Sequence, residues 1–85
     1  NPRGFEALNN LGTIHLRNKN NDLAFKCFTR SIEINDKYIP TINNLAAYYY
    51  KINSPQQALK FSTAALNLQP DNPKAKSQCL ALLKF

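Results

Sequence analysis

The amino-acid sequence predicts an all-α fold, an α-solenoid of antiparallel helix pairs, and two observations predict it. Asn-Asn-Leu stands at Asn9–Leu11 and again at Asn43–Leu45, 34 residues further on. The offset aligns other positions by character: Leu8 with Ile42, Gly12 with Ala46, Ala24 with Ala58, Ile32 with Leu66 and Ile34 with Leu68. Small meets small and large apolar meets large apolar, which is the mark of an internal repeat. Within each copy the apolar residues recur at helical steps, as Leu8, Leu11, His15 and Leu16 do, and as Leu23, Cys27, Phe28, Ile32 and Ile34 do.

Residues 1–4 read as the tail of an upstream repeat, because Pro2 falls where such a unit would end. A first unit spans 5–38, its two helices parted by the polar run "RNKNND" at 17–22. A second unit spans 39–72, with its break at "KINSPQ", 51–56, where Ser54 is set as N-cap and Pro55 as first helical residue. "QPDNP" at 69–73 stops one helix and caps the next. Residues 73–85 form a capping helix or the start of a third unit, since a second shift of 34 reaches Gln78 from Asn44 and Cys79 from Leu45. Each helix has about 13–14 residues and a length of ~20 Å. A pair that short cannot bury its apolar stripe alone, so successive pairs must stack. Gly12 and Ala46 on the first helices, with Ala24 and Ala58 on the second, allow close approach, while Phe28 and Tyr49 fill the wider gaps.

Composition narrows the function classes. Apolar residues make up 44% of 85, enough for a folded core. No window is apolar for long enough to span a membrane and no signal-peptide pattern opens the chain. The chain starts at Asn1 and has no Met, which suggests a piece of a longer product. The net charge is +6, but the basic residues are scattered singly, as on a solvated surface. Cys27 and Cys79 match neither a metal spacing nor a disulfide framework and read as buried thiols in a reducing, cytoplasmic setting. His15 is the only histidine, so no metal site is expected. Gly4 and Gly12 are the only glycines, which excludes a glycine-rich phosphate loop. No nucleophile–base pair is visible, and neither catalysis nor a cofactor is expected.

Leu11, Gly12, Ala24 and Phe28 in the first unit resemble the motif of the tetratricopeptide repeat family, as do Leu45, Ala46, Tyr49, Ala58, Ala65 and Pro70 in the second. His15 replaces the family's Tyr, Ser31 an Ala, Asp36 the Pro, and Ser62 the Phe. The resemblance implies that the first helices line a concave, peptide-binding groove. By register the groove residues would be Glu6, Asn9, Asn10, Thr13, Leu16 and Arg17, then Pro40, Asn43, Asn44, Ala47, Tyr50 and Lys51, with Lys74, Ser77, Gln78, Ala81, Lys84 and Phe85 beyond. Asn10, Asn44 and Gln78 would form a ladder of amides, each able to donate and accept along the backbone of an extended segment. This is similar to the asparagine ladder of the tetratricopeptide superhelix in O-GlcNAc transferases, though only at those positions. Arg17, Lys51, Lys74 and Lys84 make the row mildly basic, which suits an acidic segment; they also suit helix C-terminal cations. Where chaperone-binding members carry a Lys and an Asn, this chain has Asn9 and Thr13, so that clamp is not reproduced. In "YYY", 48–50, Tyr49 is expected in the core, Tyr50 toward the groove and Tyr48 on a flank.

The function that follows is a non-catalytic scaffold holding a protein or peptide partner. Other readings stay open: a substrate-recruiting segment of a larger enzyme, a self-associating homo-oligomer paired through Phe5 or through Leu82, Leu83 and Phe85, and an RNA-binding module. Nucleic acid is disfavoured because Arg17, Lys51 and Tyr50 are too thin a track.

Overall fold

A computed structural model of the chain describes residues 4–82, apart from the side chains of Lys74, Gln78, Ala81 and Leu82. Among the described residues five helices follow one another: α1 (Gly4–Arg17), α2 (Asn21–Ile34), α3 (Ile39–Lys51), α4 (Pro55–Leu68) and α5 (Pro73–Leu82). α1 packs along α2 and α3 along α4, α2 bears on α3, and α5 closes against α4. Among the described residues every regular element is a helix, and the expected stack of helix pairs is what the chain forms.

The 34-residue offset is written into the backbone as well as the side chains. α1 ends where the Asn20 N–H bonds to the His15 carbonyl and the Lys19 N–H to that of Leu16. α3 ends in the same way, Ser54 bonding to Tyr49 and Asn53 to Tyr50. Lys19 (φ 65°) and Asn53 (φ 63°) take the left-handed conformation that this helix stop requires. Ser54 and Pro55 stand at the N-cap and first turn of α4 as expected, but the Ser54 hydroxyl makes no capping bond. Asn72 does cap: its Oδ1 accepts the Ala75 N–H at 3.1 Å, opening α5.

The core is continuous across the pairs. Ala24, Phe28 and Leu45 form one buried cluster, and Ile42, Ala65 and Ala75 another. The two helix pairs solve one packing problem with different volumes. In the first, Gly12 leaves room for Phe28; in the second, the positions 34 residues on hold Ala46 and the smaller Ser62, both buried. Tyr49 and Phe61 take up the remaining space there, stacked with centroids 5.6 Å apart. Polarity is exchanged as well. Ser31 and Thr41 share a buried hydroxyl bond of 2.8 Å, and the Ser31 hydroxyl also donates to the Phe5 carbonyl. At the same register further on stand Ala65 and Ala75, both fully buried.

Several expectations need correction. Leu11, Leu23 and Ile34 keep helical spacing yet are 44%, 46% and 43% exposed. Periodicity sees an apolar stripe but not whether a neighbouring helix covers it. Cys27 and Cys79 are free thiols but only half-buried. Tyr49 is half-buried in the aromatic cluster as expected, and Tyr48 stacks on Phe25 at 5.0 Å. Burial, and next the neighbouring Tyr48, push the Tyr49 hydroxyl pKa above its ordinary value. Pro2, Leu83, Lys84 and Phe85, with the side chains of Ala81 and Leu82, lie outside the described residues.

Candidate functional site

α1 and α3 lie side by side, and the polar row is built where they adjoin. On α1, Glu6, Asn10 and Arg17 are exposed and Thr13 and Leu16 half-buried. On α3, Pro40, Ala47, Tyr50 and Lys51 are exposed and Asn43 and Asn44 half-buried. Ser77, on α5, is exposed. Helical turns of 3.6 residues bring each set to one side of its helix. Arg17 and Lys51 end their helices, where a cation also meets the negative end of the helix dipole.

Two of the asparagines depart from the expected geometry. Asn9 is only 5% exposed. Its Oδ1 accepts a 2.8 Å bond from Asn44 Nδ2, and its carbonyl accepts the Thr13 hydroxyl at 3.0 Å. The amide at 44 is therefore partly spent on joining α3 to α1. Asn10 and Asn44 align in sequence but differ in surroundings: Asn10 is exposed, whereas Asn44 is tied to its neighbour. A buried Asn9 stays satisfied through that tie, as a buried polar group must.

Beside this bond the surface opens into a recess of about 450 Å³, lined by Ile39, Pro40, Asn43, Asn44, Gln69, Asn72 and Pro73. Asn43 stands 34 residues after Asn9, and its Oδ1 is buried with no hydrogen-bond partner among the described residues. The register partner of that oxygen would be position 78; the side chains of Gln78 and Lys74 lie outside the described residues. Gln69 and Asn72 shape the far wall, where Asn72 Nδ2 donates to Gln69 Oε1 at 3.3 Å. Sequence reading assigned "QPDNP" only to a helix break. The residue types offered no sign that this corner faces Asn43, because that depends on how α5 seats on α4.

Among the described residues no cluster of His, Cys, Asp or Glu could hold a metal ion. No helix there is long and apolar enough to cross a membrane. Residues 5–71 match a family model described as tetratricopeptide repeat. No curated protein matches the chain.

Proposed function

The chain belongs to the tetratricopeptide repeat family, and from that premise we propose that the polar row on α1 and α3 holds an extended segment of a partner protein. Repeats of this family generally mediate protein–protein interaction and are typically non-catalytic. The observation that carries the finer reading is the recess beside Asn43, whose buried Oδ1 has no donor among the described residues. A buried acceptor left unpaired costs free energy, and a peptide N–H laid in the recess would relieve it. Asn10, exposed on α1, supplies a further amide. Arg17 and Lys51, both exposed, flank the row with positive charge and favour an acidic segment. Tyr50 and Ala47 offer an aromatic contact and a flat step between the amides. The same reading takes 5–38 and 39–72 as repeat units, with 73–85 as a cap or the start of a third.

Peptides selected from a random displayed library on the intact chain test this by titration. Asn10→Ala with Asn43→Ala should weaken a selected peptide at least ~10-fold, as expected for losing charge-free hydrogen bonds at two positions. Arg17→Glu with Lys51→Glu should lower affinity for acidic peptides and leave neutral ones unchanged. Unaltered binding by the first double variant, with the helical dichroism of the wild type, would end the reading.

A further inference from the structure

The recess at the start of α3 is lined without charge. The chain carries +6 over 85 residues, yet among the described residues that line the recess none is ionisable. Four carboxamides form its polar part, Asn43, Asn44, Gln69 and Asn72, and the remainder is Ile39 with two prolines. Three of the four amides are tied into the fold. Asn72 Oδ1 accepts the Ala75 N–H and its Nδ2 donates to Gln69 Oε1, while Asn44 Nδ2 donates to Asn9 Oδ1. The fourth is not: Asn43 Oδ1 is buried and has no donor among the described residues. The torsion that turns an asparagine amide is soft, so this one can swing toward an incoming donor without giving up a bond to its oxygen.

Hydrogen-bonding capacity decides what such a lining accepts. An ammonium donates, but it would exchange its water for walls that hold no anion. A carboxylate only accepts, so beside Asn43 it would set one acceptor against another. A hydroxyl is short for a recess of about 450 Å³. A carboxamide carries no charge and both donates and accepts, as each wall amide does. A side chain also reaches into a recess that the main chain, held off by its own substituents, passes over.

We infer that this recess is a pocket for the carboxamide side chain of an Asn or Gln in the partner segment, and that it refuses Asp and Glu there. The inference rests on the reading that the polar row holds such a segment, and names the residue that sets its register. Acidic residues of the same segment belong near Lys51, about 12 Å along α3 from Asn43.

Peptides selected from a random displayed library on the intact chain are the probe, titrated by fluorescence anisotropy against the wild type and Asn43→Ala. In each peptide every Asn or Gln is replaced singly by the isosteric Asp or Glu. At one position that change should weaken binding to the wild type at least ~10-fold. Asn43→Ala should weaken the unchanged peptide at least ~3-fold and narrow the gap between amide and acid at that position to under ~3-fold. Asn43 Oδ1 makes no bond that the variant would break, and helical dichroism checks that it folds. Selected peptides without Asn or Gln would overturn the pocket, as would an acid penalty of the same size in both proteins or at every position tested. If those peptides still weaken with Asn10→Ala plus Asn43→Ala, the polar row stands without the pocket. Peptides indifferent to that double variant would overturn both.

Discussion

Gly12→Ala gives the sharpest test of how the helix pairs are packed. A methyl at position 12 would lie 2.6 Å from Phe28 Cε1, 2.8 Å from Cδ1 and 3.0 Å from Cζ. Carbon atoms prefer roughly 3.5–4.0 Å. The Phe28 ring is fully buried, so it has no solvent to swing into. Overpacking of this kind costs about 1–3 kcal/mol. Alanine returns up to about 1 kcal/mol of helix propensity, which leaves a net loss of up to about 2 kcal/mol. The same change should cost less in a Phe28→Leu background. Leucine has no Cε1 or Cζ, so two of the three short contacts go and only a Cδ carbon is left to give way. The second helix pair shows the logic, since Ala46 carries its methyl where Ser62 replaces the phenyl. Urea denaturation followed by far-UV circular dichroism measures all four proteins, and the expected coupling energy is about 1–3 kcal/mol. Equal effects of Gly12→Ala in both backgrounds, to within about 0.5 kcal/mol, would refute the reasoning.

Other outcomes follow from single features. Lys19→Gly should stabilise the chain by about 0.5–1 kcal/mol in the same assay, because a left-handed residue at φ 65° carries a side-chain penalty. Asn44→Ala should cost about 1–3 kcal/mol by leaving the buried Asn9 oxygen without its donor, whereas exposed Asn10→Ala should stay within about 0.5 kcal/mol. Tyr49 binds its proton more tightly when folded, so the folded state holds more protons above pH 10 than the unfolded one. Stability should therefore be complete below pH 10 and fall as pH rises through 10 and beyond, and Tyr49→Phe should make that fall shallower in alkaline melts.

The fold was legible because the repeat constrains it twice, in residue size and in helix stops. The matching of Gly12 with Ala46 and Ala24 with Ala58 marked the close contacts, and the polar breaks marked the turns. Left-handed geometry at Lys19 was not legible, since lysine carries no preference for it; Asn53 at the same register does. The candidate site was half legible. Register placed Asn10, Ala47 and Tyr50 on the surface correctly. It could not separate Asn9 from Asn10, because one helical step moved Asn9 under the edge of α3 and into a bond with Asn44. Nor could it see the uncovered face of α1, since Leu11 and Leu45 look alike in sequence and differ only in their neighbours.

The most direct test of the account places a photoreactive benzophenone side chain at Ala47, in the polar row, and separately at Lys26, on exposed α2. Each protein is irradiated with a peptide selected on the wild-type chain. The account predicts crosslinking from position 47, lost with Asn10→Ala plus Asn43→Ala, and none from position 26. Crosslinking from 26 alone, or equally from both, would contradict a binding surface on α1 and α3.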